Sequence, residues 1–282
     1  MGVIGFLEER GLTREQLIES LGVEGQETLF VVGSPSAGAA DDECDLEMVL
    51  LTSERGFRRR ADMLAPEARA GGERRRLGVI YARIDQVDVE VSVHLTATYE
   101  RLLDALEALD PWSAAGVVEA GDALGGMPRE AAVELLHRLH GGRAITNRTA
   151  FDALRRRLDL RKLGAWNIHR SLLRGTDALV DARRSLCTAD TENAYLKLSA
   201  AYDALGDAVL FARGEPIDRW RWRLPRLRAL GPSAFLERYL DVMLVRRKPS
   251  EPLCDFVARQ LDAAQGVAET LRRAQSLGPL YA

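Results

Sequence analysis

Two carboxylates one residue apart, Asp45 and Glu47, stand at the start of an apolar run, twelve and fourteen residues after Gly33. The apolar run Thr28 to Val32 before them ends in Gly33-Ser34. On a strand, positions i and i+2 project from one face, so Asp45 and Glu47 point the same way. Two such acids repel each other unless a cation sits between them, and carboxylates plus substrate phosphates are how Mg²⁺ is usually held. Gly33 lets the backbone approach a phosphate, while Ser34 offers a hydroxyl and an N–H to its oxygens. The pattern suits a strand–turn–strand device for phosphoryl transfer. The plainer alternative is a surface strand with its acids facing water.

A second acidic strand lies further on. Val87 to Val93 alternate strictly, with Asp88 and Glu90 on one face and four valines on the other. As a half-buried antiparallel strand beside the first pair, it would bring a third carboxylate to two metal ions. In such a pair one ion activates the attacking oxygen and the other steadies the leaving pyrophosphate. A solvated face on an edge strand is the competing reading.

Gly-Ser, a loop, then Asp-x-Glu at a strand start resembles the DNA polymerase β-like nucleotidyltransferases, and within them the kanamycin (aminoglycoside) nucleotidyltransferases. Asp45-Leu46-Glu47-Met48 is similar to their Asp-Ile-Glu-Met, and Val89-Glu90-Val91 to the triplet that carries their third acid. The resemblance implies metal ligands Asp45, Glu47 and Glu90, with Asp88 preferred instead by members whose strand reads Ile-Asp-Ile. It implies Gly33 and Ser34 as nucleotide-binding residues. Implied cofactors are two Mg²⁺ and a nucleoside triphosphate, ATP foremost. The implied partners are a small-molecule hydroxyl acceptor, aminoglycoside-like or another natural product, and a second copy in a homodimer. Nucleic acid is a less favoured partner, and no membrane is implied.

Downstream, residues 117–136 resemble the strand, Gly-containing turn and helix that close the family's catalytic domain. The family's catalytic base is a helix carboxylate six residues before an Arg, a spacing met by Asp177 and Arg183. Asp181, one helical turn on, shares nearly the same face and stays an alternative, as does an ordinary exposed acid. One departure stands out. Where the family has a basic residue reaching the triphosphate, this chain has Ala37 and Gly38. Arg58 to Arg60 or Arg74 to Arg76 are candidates to replace it, unless they are solvated faces. A catalytically degenerate relative is therefore a second reading.

The resemblance implies an α+β chain: a polymerase β-like domain with a mixed sheet over 1–143, then an all-helical substrate-binding bundle over 144–282. A length of 282 residues with 46% hydrophobic content can supply a core to each. The net charge of −3 hides an asymmetry. Residues 1–110 hold 12 Lys plus Arg against 22 Asp plus Glu, and the rest 27 against 20. The basic second part suggests an anionic acceptor, or a macromolecular one such as tRNA or protein. Three cysteines at 44, 187 and 254 form neither metal spacing nor a disulfide framework, which suits a reducing cytoplasm. No apolar run approaches the length of a membrane span, and no basic-then-apolar leader pattern opens the sequence. The four histidines, at 94, 137, 140 and 169, are too scattered for a zinc site.

Start and stop signals set the elements that must position these residues. Thr13 and Gln16 form a capping-box pattern opening a short helix. Strands are expected near 28–33, 45–52, 77–84 and 86–93, with a helix near 97–108. Pro128 suits the first turn of a helix to about His140, with Gly141-Gly142 as a hinge. Helices are then expected over 148–186, 191–213, 233–247 and from Pro252 to about Gln275. Alternating Arg and Trp over Arg219 to Arg228 fits packing against helices, acceptor binding or stacking on nucleic acid.

Overall fold

A computed structural model describes residues 3–32, 46–65, 77–113, 115–117, 121–215 and 222–276. Gly33, Ser34, Ala37, Gly38, Cys44, Asp45, Arg74 to Arg76 and Arg219 to Arg221 lie outside these described residues. The chain forms two compact units, Met1–Ala105 with Leu135–Leu158, and Leu106–Glu134 with Asp159–Ala282. It is a mixed α+β protein whose helical part follows its sheet.

The first unit opens with α1 (Val3–Glu9) and α2 (Arg14–Ser20). The capping box at α2 forms as its sequence dictates. Thr13 Oγ1 accepts from the Gln16 N–H at 3.2 Å, and the Thr13 N–H donates to Gln16 Oε1 at 2.7 Å. Then come β1 (Thr28–Val31), β2 (Leu46–Thr52), α3 (Glu54–Arg59), β3 (Leu77–Ile84), β4 (Val87–Leu95) and α4 (Thr96–Ala108). The short arms β5 (Ala123–Leu124) and β6 (Met127–Pro128) and the start of α5 (Arg129–Gly141) belong to the second unit, and the rest of α5, β7 (Arg143–Ala144) and α6 (Arg148–Arg157) complete the first. The sheet order is β3-β4-β2-β1-β7.

β4 lies beside β2 as expected, but parallel to it, not antiparallel. β3 runs opposite to β2, and the tight reversal at Asp85-Gln86, whose φ angles of 44° and 72° suit a primed two-residue hairpin turn, brings β4 back in the direction of β2. β4 is thus antiparallel to β3 and lies between β3 and β2. One face of the sheet carries Leu46, Met48, Leu50, Val89, Val91 and Val93. It packs in one core with Leu7, Leu12, Leu17 and Leu21 from the α1–α2 region. On the other face Phe30 meets Phe151 of α6, ring centroids 5.0 Å apart. Gly142 makes room there, because a Cβ would sit 2.5 Å from the Phe30 ring and 2.7 Å from Arg138 O.

An ion pair ties α3 to the chain entering β1. Arg60, 1% exposed, donates from Nη1 and Nη2 to Glu27 Oε1 and Oε2 at 2.7 and 2.6 Å. Its Nε donates to Leu21 O at 3.0 Å, and Thr52 Oγ1 donates to Glu27. Of the arginines considered for phosphate, Arg60 is thus consumed inside the fold. Arg59 pairs with Glu24 and Glu27, and Arg58 with Glu54.

The second unit is built on three long helices that pack together: α7 (Leu160–Cys187), α8 (Thr191–Ala212) and α11 (Leu253–Ser276). Shorter α9 (Arg223–Ala229) and α10 (Ala234–Met243) lie against α8. The helix expected over 148–186 is two helices, because Asp159 caps a new N-terminus by accepting from the N–H groups of Arg161 and Lys162. No strand forms at Val117, which sits in a helical turn. Among the described residues of 117–136, the strands are the two arms of the hairpin β5–β6, around Gly125 and Gly126 at φ 56° and 77°. Trp222 and Arg223 begin α9, where Arg223 donates to Asp207 Oδ1 at 2.6 Å and Asp203 Oδ1 at 2.7 Å. That arginine has a packing role. Among the described residues no helix is long and apolar enough to cross a membrane.

Glu27→Gln should cost about 3–5 kcal/mol of stability, since it strands the buried Arg60 charge. Urea unfolding checks this, and Glu27→Leu with Arg60→Met should recover much of the loss.

Candidate active site on the sheet

The parallel register of β2 with β4 sets Glu47 directly beside Glu90. Adjacent strands are about 4.8 Å apart, and registered residues of a parallel pair share a face. Both glutamates are half-buried. Their neighbours one step inward, Met48 and Val91, belong to the core on the opposite face. The carboxylates thus emerge where the sheet stops being covered on both sides.

Asp88 also lies on this face, but its cross-strand partner is Arg83, with Nε to Oδ1 at 3.8 Å. Tyr81, 67% exposed, is the antiparallel partner of Glu90. Tyr81, Ala82, Arg83, Asp88, Val89 and Glu90 line a shallow depression of about 400 Å³. Further along β4, Ser92 and His94 continue the glutamate face and are buried. Arg138 of α5 donates from Nη1 to Ser92 Oγ at 2.9 Å, bringing a cation to the same face. Neither Tyr81 nor Arg138 was singled out from the sequence. Alternation along β3 could have found Tyr81, whereas Arg138 reaches the sheet only through tertiary packing.

Two registered carboxylates on one face present several oxygen ligands to one place. Their oxygen-only chemistry fits a hard divalent ion. Among the described residues no group of three or more His, Cys, Asp or Glu is placed to hold a metal, and Asp45 is not among those residues. Asp177 is exposed on α7 in the second unit. Asp181 pairs with Arg184 at 3.6 Å. Arg183, the spacing partner of Asp177, donates to Asp262 Oδ1 at 3.1 Å and Gln265 Oε1 at 3.2 Å.

The fold has a counterpart among solved structures. The chain is similar to a nucleotidyltransferase-like protein from Exiguobacterium sibiricum, with a TM-score of 0.52 and 13% sequence identity. The likeness covers 95% of this chain and 77% of that one, and it establishes a nucleotidyltransferase-like fold. No protein-family model and no curated protein matches the chain.

His94 gives the glutamate face a pH dependence of its own. Burial, reinforced by the Arg138 charge, pushes its pKa from 6.5 down to about 3. The folded protein therefore refuses a proton that the unfolded chain accepts. Stability is full above pH 6.5 and falls as pH drops towards about 3. The slope from this group alone is about 1.4 kcal/mol per pH unit. His94→Leu should flatten the urea midpoint between pH 6 and pH 4 relative to the parent. Parallel profiles for the two proteins would exclude this role.

Proposed function

We propose that the chain is a nucleotidyltransferase that moves a nucleoside monophosphate from a nucleoside triphosphate, ATP foremost, to a hydroxyl of a small-molecule acceptor. Aminoglycoside-like antibiotics and other natural products are the proposed acceptor class. The observation that carries the reading is the Glu47–Glu90 register on one face of a sheet in a nucleotidyltransferase-like fold.

In this reading residues 1–143 form the catalytic domain and 144–282 the substrate-binding domain of a cytoplasmic homodimer. Glu47 and Glu90, with Asp45 two residues ahead of Glu47, hold two Mg²⁺. The bound ions supply charge neutralisation for the triphosphate and for the leaving pyrophosphate. The Gly33-Ser34 turn offers backbone and hydroxyl donors to phosphate oxygens. Asp177 accepts the proton of the acceptor hydroxyl as its oxygen bonds to the α-phosphorus. The bond from that phosphorus to the bridging oxygen breaks in line, and pyrophosphate leaves with the electron pair. The protein's contribution is mostly position and charge. The register favours Glu90 over Asp88 as third ligand, because Glu90 faces Glu47 while Asp88 faces Arg83.

Two other readings have an observation each. The positive balance of residues 111–282 favours a macromolecular acceptor such as tRNA or protein. Ala37-Gly38 in place of a basic residue favours a relative that keeps the fold without transfer. Product mass spectrometry with each nucleotide, Mg²⁺ and an acceptor panel distinguishes all three.

Glu47→Ala and Glu90→Ala should each lower turnover by about 100-fold or more with an unchanged circular dichroism spectrum. Asp88→Ala should cost only a few-fold, on the order of an exposed charge. Full turnover in Glu47→Ala would remove the basis of the assignment.

A further inference from the structure

Arg129 opens α5 directly behind the β5–β6 hairpin, its backbone N–H donating to Asp122 O at 2.8 Å. Its side chain is only 7% exposed. A guanidinium taken that far out of water is normally met by a carboxylate at about 2.7–2.9 Å. Arg129 has no such partner among the described residues. Nη1 reaches two neutral acceptors, Asn167 Oδ1 at 3.3 Å and Ser171 Oγ at 3.4 Å. The carboxylate it meets, Glu130 Oε1, is 3.6 Å from Nη2, and buried Nε has no hydrogen-bond partner.

The neighbours deepen the imbalance. Arg174 of α7 shares the same Glu130 oxygen at 3.4 Å. Arg170, one turn earlier, is taken up by Asp122 through Nε at 2.8 Å. Asp122 ionises more readily than usual because Arg170 hydrogen-bonds to it, with the charges of Arg170, Arg129 and Arg174 adding to the effect. Three guanidinium groups thus share Glu130 and Asp122, with Asp122 committed to Arg170, while Asp207, whose charge also reaches Arg129, is committed to Arg223. Glu130 is 69% exposed and lightly held, so it can swing out at little cost. Asn167 is turned to orient Arg129, since its own amide donates to Leu163 O at 2.8 Å.

We propose that Arg129, Arg174 and Ser171 of the second unit form a binding site for a compact oxyanion, a phosphate group carried by a small molecule. Its oxygens replace the long Glu130 contacts, accepting from the forks of Arg129 and Arg174 and from the Ser171 hydroxyl. Arginine forks match phosphate geometry, and a phosphate supplies the negative charge the cluster lacks. The site involves neither Glu47 nor Glu90 and stands apart from the metal-site reading. The phosphate is carried by a ligand other than the nucleotide that Glu47 and Glu90 are proposed to serve.

Isothermal titration calorimetry on the full chain in EDTA, at constant ionic strength, tests this with inorganic phosphate and with pyrophosphate. One saturable site is expected, weakened about tenfold or more by Arg174→Gln and by Ser171→Ala. Arg183→Gln removes the same charge from α7 outside the cluster and should leave affinity within about twofold. Arg129→Gln removes a buried group and is read only if its circular dichroism matches the parent; the 55% exposed Arg174 carries the test. Comparable affinities for phosphate and pyrophosphate are expected of a site for one phosphate group, and pyrophosphate binding far more tightly than phosphate counts against it. Binding that survives Arg174→Gln unchanged, or that Arg183→Gln weakens equally, overturns the proposal. So does the absence of saturable binding, or its loss in Glu47→Ala.

Discussion

The parallel pairing of β2 with β4 is the constraint on which the first unit turns. Seven registered pairs run from Leu46 with Val89 to Thr52 with Leu95. A one-residue slip of either strand would flip every side chain, driving Glu47 or Glu90 into the core around Leu7 and Leu17. The register is therefore held by burial, not by the acids it juxtaposes, whose mutual repulsion opposes it. Coverage of the sheet decides where charge is tolerated. Along β4 the glutamate face runs from exposed Asp88 through half-buried Glu90 to buried Ser92 and His94. Polar groups beyond Glu90 must be neutral or paired, and they are: His94 sheds its proton and Ser92 accepts from Arg138.

Two arginines, buried Arg129 and half-buried Arg223, show how differently the second unit treats the same charge. Arg223 is clamped by Asp203 and Asp207, and Tyr239 donates to Asp203 Oδ1 at 3.0 Å. Burial works against its charge, but the hydrogen bond and charge of Asp207, with Asp203, outweigh it and raise its pKa. Burial and the Asp203 charge push the Tyr239 hydroxyl up to about 12, so it remains a neutral donor. This network is complete and fixes α9 and α10 on α8. Arg129 is the opposite case, its pKa lowered chiefly by burial, with neutral acceptors where Arg223 has carboxylates. A finished network reads as architecture; an unfinished one invites a ligand.

Period and punctuation made most elements legible. Alternation over Val87 to Val93 and the apolar run after Asp45 marked β4 and β2, and Thr13 with Gln16 marked α2. Strand direction was not legible, because alternation is the same for parallel and antiparallel neighbours. The break at Leu158-Asp159 was hidden for another reason. Arg155 to Arg157 continue a helical composition, and a single Asp had to outweigh it as a cap. At the candidate site, spacing within one strand put Asp88 and Glu90 on one face but could not rank them. That ranking needs the partner strand: Arg83 opposite one and Glu47 beside the other. Arg138 and Arg129 come from an element about forty residues downstream, so nothing local announces either.

The positive balance of residues 111–282 reads differently once its pairs are known. Arg170 is held by Asp122, Arg183 by Asp262, Arg223 by Asp203 and Asp207, Arg226 by Glu215 and Arg259 by Glu251. These five arginines thus already meet carboxylates, two of them across elements far apart in sequence. Binding a long polyanion requires a continuous stripe of cations able to release counterions together. Among the described residues, the paired arginines of α7, α9 and α11 would each first have to give up a carboxylate to join one. A single phosphate asks less, needing one deep guanidinium without a close acid and one shallow neighbour able to turn. The pairing of these arginines with carboxylates, more than their number, sets how much free charge they can offer a ligand.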